Sequence, residues 1–194
     1  LDDQIGRILD YLDQSDLSKN TLVIYSSDQG FFTGEHGWAE KRWMYEESFK
    51  SPLIMRWPGT IEPGSRIVKL VQNIDLAPTF LKASGLAVPD TIHGLALQPL
   101  FSNEYNFPWR KDILYQYFDG GTPEKRGPYN MPRHEGIRDQ RYKLISFYEL
   151  NQWEFYDLKN DPNELNNLIN DQSWSNEIIR MKKRLKILKN KFNQ

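Results

Sequence analysis

TLVIYSSDQG, residues 21–30, decides the architecture. Thr21 to Ser27 form a short apolar run rich in β-branched and aromatic side chains, the pattern of a buried strand in a parallel or mixed sheet. Upstream, Ile5, Ile8, Leu9 and Leu12 recur at helical spacing behind Asp2 and Asp3, which suit a helix's first turn. The largely polar stretch from Gln14 to Asn20 separates the two, so helix, loop and strand make an α/β unit. Asp28 falls where the strand ends. In open α/β sheets, ligands sit beyond the carboxyl ends of the strands, so the loop that starts at Asp28 is where a site is expected.

Further along, SPLIMRWPG (Ser51 to Gly59) reads as a second strand closed by a Pro-Gly turn. Arg66 to Val71 is a third short candidate. Asp75 is placed to cap a helix over Leu76, Thr79, Phe80 and Ala83, with Pro78 in its first turn and Gly85 ending it. A short helical piece is expected near Leu97 to Ser102. From Asp112 the texture changes: DILYQYF, EGIRDQRYKLISFY and WEFYDL supply four strands, with a tight turn at Asp139-Gln140 and a Gly/Pro-rich loop over residues 119–132. NDPNELNNL reads as a turn leading into a short helix. Ile178, Met181, Leu185, Leu188 and Phe192 then share one face of a final helix whose other faces are basic. The expected fold is α/β: residues 1–110 as part of an α/β core, and residues 111–194 as a small antiparallel-sheet subdomain with a C-terminal helix.

Composition narrows the classes. The 194 residues are 39% hydrophobic and 26% charged, which is ordinary for a folded domain. Twenty-five basic against 26 acidic side chains give a net charge of -1, so neither nucleic acid nor a membrane is the expected partner. The basic final helix reads as a docked amphipathic helix with a solvated outside. There are no cysteines, which excludes disulfides, thiolate metal sites and a cysteine nucleophile. No apolar run approaches the roughly 18 residues that span a bilayer, and the first residues do not have the form of a targeting segment.

The chemistry-bearing residues cluster after the first strand. Asp28 and Gln29 offer a carboxylate and an amide oxygen, hard donors suited to calcium or magnesium, although calcium takes six to eight oxygens and these two supply only part of that set. Gly30 would let the backbone turn closely there. His36 can donate a hydrogen bond or a proton near neutral pH. Lys41 is a compact cation suited to a tetrahedral anion, and Arg42 could do the same or pair with Glu46 or Glu47. His134 and Arg138 form a second cluster: the histidine could bond a sugar hydroxyl or be an ordinary surface residue, and the arginine could clamp an anion or form a structural ion pair. His93 belongs to a turn.

NTLVIYSSDQGFFTGEHGWAEKRWMYEESFKSPLIMRWPG, followed in order by NIDLAPTFL, HGLALQPL, GIRDQRYKLI and WEFYDLKNDPNELNNL, resembles the type I sulfatases of the alkaline-phosphatase-like superfamily across nearly the whole chain. The wording is most similar to sulfatases acting on N-acetylglucosamine 6-sulfate or related glycans. The resemblance implies a partial alkaline-phosphatase-like α/β/α sandwich. It implies Asp28 and Gln29 as ligands of Ca2+, ahead of Mg2+, Lys41 as a sulfate contact, His36 close to the site, and His134 and Arg138 facing the substrate. It also implies a formylglycine nucleophile made within a Cys/Ser-x-Pro-x-Arg motif.

That motif does not occur in this sequence, nor does the aspartate pair that completes the family's metal site. The expectation is therefore the C-terminal part of a sulfuric ester hydrolase, with a sulfated glycan as substrate and an N-terminal part of the same enzyme as partner, inactive by itself. A periplasmic, extracellular or lysosomal setting follows from the same resemblance. The alternatives are a phosphodiesterase or phosphonate hydrolase of the same superfamily, and a non-catalytic carbohydrate-binding or structural remnant.

Overall fold

The computed structural model describes residues 1–102, 108–119 and 131–192. The chain has a mixed α/β fold with a four-stranded antiparallel sheet and a long C-terminal helix, consistent with part of an alkaline-phosphatase-like sandwich. It divides into two compact units. One comprises Leu1–Asp28 and Ser51–Trp109, the other Gln29–Lys50 and Arg110–Gln194. The loop that follows Asp28 thus packs with the C-terminal residues, although the expected division at residue 110 would group it with the first part.

In the first unit, α1 (Asp2–Gln14) and β1 (Val23–Ser26) form where the sequence pattern places them. Arg56 reaches from β4 (Leu53–Arg56) to the Asp13 carboxylate at the end of α1, 2.7 Å away. The pairing of β1 differs from expectation. Its described partner is β4, antiparallel, with Val23 opposite Arg56 and Ser26 opposite Leu53. Nor is the strand deeply buried, for Tyr25 is exposed, and its neighbour across on β4, Ile54, is 65% exposed. An apolar run reports that a strand is to be covered, but it carries no information about which neighbour covers it.

Residues 66–71 form no strand. Val68 is 85% exposed, while Ile67 and Val71 turn toward an apolar hollow of about 180 Å³ shared with Leu53, Met55, Leu97 and Leu100. α3 (Leu76–Ala83) forms and is closed by Gly85 at φ 72°. The Asp75 side chain does not cap it. Its carboxylate accepts instead from the Gln72 and Leu95 amides, both at 2.8 Å, and so ties a preceding 3₁₀ turn to a later loop. Leu97 to Ser102 contains a 3₁₀ turn at Gln98–Leu100.

The second unit is built on the meander β5 (Asp112–Tyr117), β6 (His134–Asp139), β7 (Tyr142–Phe147) and β8 (Gln152–Asp157). Alternation along each strand gives the sheet two covered faces. On one, Ile137, Leu144 and Phe155 meet Ile178, Met181, Leu185 and Leu188 of α4 (Ser175–Phe192). On the other, Ile145, Phe147 and Tyr156 meet Phe32, Met44 and Tyr45 from the 29–50 segment. That segment contributes β2 (Phe32–Thr33), β3 (Ala39–Glu40) and the single-turn helix α2 (Glu46–Phe49).

Residues 161–169 adopt no helix, contrary to expectation. The Asp161 carboxylate accepts from the Leu165 and Asn166 amides, and the Asn167 side-chain oxygen accepts from Phe155 and Ile169. These side chains satisfy the backbone locally and outcompete the helical pattern. Most of the Gly/Pro-rich loop, residues 120–130, lies outside the described residues. Among the described residues no helix is long and apolar enough to cross a membrane.

Candidate functional site

Asp28 ends the first unit as an exposed carboxylate that accepts from the Ser27 hydroxyl at 3.3 Å. Gln29, half-buried, opens the second. Both are oxygen donors of the kind a hard divalent cation takes, so they fit as part of a ligand set. Among the described residues no group of three or more His, Asp or Glu side chains converges as a complete cage. Gly30 has a packing reason beyond turning the chain. A Cβ there would fall 2.0 Å from the Glu47 carbonyl oxygen and 2.7 Å from that of Lys50, and the Gly30 amide donates to the Ser48 carbonyl at 2.9 Å.

The rest of the loop is held in unusual backbone conformations. His36 sits in a 3₁₀ turn, Glu35–Gly37, at φ 55°. Its ring stacks on Tyr45 with centroids 4.5 Å apart, and its Nε2 lies 3.5 Å from the Glu47 carboxylate. Glu35 accepts from the Thr33 amide at 2.6 Å; such backbone donors keep its pKa below the ordinary carboxylate value. Lys41 is half-buried and flanked by Glu40 at φ 81° and Arg42 at φ 93°. Each left-handed non-glycine residue costs about 1–3 kcal/mol and persists only where its surroundings over-determine it. They do so at Arg42. Its amide donates to the Ser48 hydroxyl at 2.8 Å, and its carbonyl accepts from the Tyr115 hydroxyl.

Arg42 lies 3.8 Å from Glu40, and both anticipated partners are engaged elsewhere. Glu47 faces His36, and Glu46 meets Arg138 at 3.2 Å and Lys143 at 2.9 Å. Of the two readings of Arg138, the structural ion pair is therefore formed.

His134 is no surface residue; it is 0% exposed. Its ring lies among Trp43, Tyr115, Tyr117 and Phe147, at centroid distances of 5.3 to 5.7 Å. Burial pushes its pKa below the ordinary histidine value, outweighing the opposite pull of the Pro132 carbonyl. The ring is then neutral, and since a carbonyl can only accept, Nδ1 is the donor in the 3.0 Å bond to Pro132. This leaves Nε2 as an acceptor, buried and without a hydrogen-bond partner among the described residues. His93 is exposed within a bend-rich loop.

Two residues went unnoticed in the sequence, Lys143 and Glu164, and Glu46 was considered there only as a partner for Arg42. Lys143 is 0% exposed, its ammonium 2.8 Å from Glu164 and donating to the Met44 carbonyl at 2.6 Å. One signal existed. Lys143 shares strand parity with Ile145 and Phe147, so an alternating strand directs it inward.

Comparison with known proteins gives this arrangement its family. Residues 34–191 match the family described as N-sulphoglucosamine sulphohydrolase, C-terminal. The chain belongs to that family, within the type I sulfatases of the alkaline-phosphatase-like superfamily. It is 44% identical to an N-acetylglucosamine-6-O-sulfatase of Bacteroides thetaiotaomicron, over 90% of this chain and 31% of that protein. The structure of BT4656 in complex with its substrate, D-glucosamine-2-N,6-O-disulfate, superposes with a TM-score of 0.91 at 40% identity, over 99% of this chain and 38% of the other. The phosphonate monoester hydrolase of Agrobacterium radiobacter superposes with a TM-score of 0.82 at 27% identity, over 98% of this chain and 39% of that one. The chain spans about a third of the length of these relatives.

Proposed function

We propose that this chain is the C-terminal part of a calcium-dependent, formylglycine-type sulfatase that hydrolyses sulfate esters of glycans, with a 6-sulfated glucosamine as the substrate unit. The observation that carries the reading is the 44% identity, over 90% of the chain, to an N-acetylglucosamine-6-O-sulfatase. The order imposed on the 29–50 loop supports it. A lysine between two strained residues, in a segment bonded at several backbone groups, is pre-organised rather than merely solvated.

In this reading the Lys41 ammonium contacts the sulfuryl oxygens and takes up charge as the ester bond breaks. His36, positioned by Tyr45 and Glu47, donates toward the departing sugar oxygen. Asp28 and Gln29 would hold part of a calcium ion's shell, and the ion would supply positive charge to the sulfate oxygens. His134, enclosed by Trp43, Tyr115, Tyr117 and Phe147, would act by holding Trp43 of the loop in place, not by touching the sugar. Arg138 contributes through Glu46 and not by clamping the anion directly. The natural setting would be periplasmic, extracellular or lysosomal, where sulfated glycans are met.

Lys41→Ala in the complete enzyme tests the assignment. Loss of one oxyanion partner should lower kcat/KM by about 2–4 kcal/mol in transition-state terms, mainly through kcat. An unchanged kcat/KM sinks the role given to Lys41. The likeness to a phosphonate monoester hydrolase keeps a second reading open, since a cation and a lysine serve a phosphonate equally well. Comparing turnover of a sulfate monoester with that of a phosphonate monoester on the complete enzyme decides between them.

A further inference from the structure

We infer that Lys143 and Glu164 are positioning residues for Lys41, acting through the Met44–Glu46 segment. The inference rests on the reading of Lys41 as the anion-binding residue, and extends the functional machinery to the charged cluster beneath the loop.

The geometry is specific. The Lys143 ammonium, projecting from β7, donates to the Met44 carbonyl at 2.6 Å and lies 2.9 Å from Glu46 and 2.8 Å from Glu164. Glu164, 2% exposed and at φ 52°, accepts from the Glu46 amide at 2.6 Å. Arg138, directly opposite Lys143 on β6, closes the cluster through Glu46 at 3.2 Å. Two backbone groups and one side chain of a three-residue segment are thus fixed by side chains from three separate places in the chain. Gly136 completes the seat: a Cβ there would lie 2.4 Å from the Met44 sulfur.

Lys41 is three residues before Met44. Between them, Arg42 is bonded to Ser48 of α2 and to Tyr115 of β5, and Trp43 packs on His134 with centroids 5.7 Å apart. There is little slack to absorb a shift of Met44, so a displaced segment moves the lysine.

Stability alone is a poor account of the cluster. Buried ion networks are often no more stabilising than apolar side chains of the same volume, while breaking one partner is costly. What a charged cluster supplies that an apolar plug does not is direction: a fixed donor for one carbonyl, a fixed acceptor for one amide.

The test uses the complete enzyme with Lys143→Met, Lys41→Ala and the double variant, read by steady-state kinetics and by hydrogen exchange. The reporters are the amides of Gly30, Arg42, Ser48 and Phe49, each of which donates a bond inside the loop. Lys143→Met should speed their exchange at least tenfold with β6–β8 amides unchanged, and lower kcat at least tenfold. In the Lys41→Ala background it should add less than twofold. Multiplicative losses overturn the inference, as does unchanged loop exchange or an equal rise across the sheet. If Lys41→Ala alone leaves kcat/KM intact, the functional reading fails instead, and loop exchange still reports whether the cluster holds the segment. If Lys143→Met does not fold, Glu164→Ala, which removes the acceptor of the Glu46 amide and one ion-pair partner of Lys143, is judged by the same two readouts, with the same results expected and the same results overturning it.

Discussion

Lys143 shares its buried surroundings with two carboxylates whose protons are held very differently. Burial raises the Glu164 carboxyl to about 7 from an ordinary 4.5, and the nearby lysine only partly offsets this. Burial would raise Glu46 as well, but Lys143 and Arg138 together overcome it and hold that group at about 2. The folded chain therefore binds the Glu164 proton more tightly than the unfolded chain does. Its contribution to stability is complete below pH 4.5 and is lost as pH rises to about 7. Glu46 behaves oppositely: its contribution is present above pH 4.5 and lost as pH falls toward 2. Glu164→Gln cannot titrate, so the decline between pH 4.5 and 7 should flatten, while the acid limb set by Glu46 persists. Urea midpoints of the chain and the variant at pH 5 and pH 7.5 check this; parallel declines would show that Glu164 is not the titrating group.

At the scale of elements, α4 earns its place through one stripe. Ile178, Met181, Leu185 and Leu188 lie against Ile137, Leu144 and Phe155, with Met181 0% exposed at the centre. Two ion pairs frame the contact, Arg184 with Asp112 at 2.8 Å and Lys189 with Glu135 at 2.6 Å. Met181→Ala should cost about 2–5 kcal/mol by removing buried methylenes and leaving a cavity, read as a shift in the denaturant midpoint. A loss below 1 kcal/mol would mean that the helix is not docked as described. This stripe was legible because a 3.6-residue repeat of large apolar side chains has few other uses, and the four strands were legible from their alternation and the tight turn at Asp139-Gln140. Arg66 to Val71 was not, because a strand needs a partner edge and the sequence names none. Residues 161–169 failed differently: Asp161 and Asn167 bond the backbone themselves, a competition that apolar periodicity does not register. Among the proposed site residues, Asp28, Gln29, His36 and Lys41 stood out because their chemistry and motif are unusual together. Glu46 and Glu164 did not, since each takes its meaning from Lys143, 97 residues from one and 21 from the other.

For the whole molecule, the division of the chain has a chemical consequence. The residues proposed to stabilise a sulfuryl group, Lys41 and His36, lie in a loop seated on the four-stranded sheet. That seating depends on residues between 110 and 194 and gives stabilisation without attack. The proposed calcium ligands Asp28 and Gln29 would supply two oxygens, where calcium takes six to eight. The sequence has no cysteine and no Cys/Ser-x-Pro-x-Arg run from which the family's nucleophile could be made. Oxyanion stabilisation in isolation still leaves a residual rate in enzymes whose attacking group has been removed, about 10³–10⁴ over water. That residue depends on a substrate held in a formed site, and half a ligand set is not one. The purified 194-residue chain should therefore release no sulfate from an aryl sulfate above the buffer rate, with calcium in excess. Hydrolysis that co-purifies with the chain through successive columns and vanishes in Lys41→Ala would show that an attacking group is present after all, and would overturn the assignment of that step to residues outside this sequence.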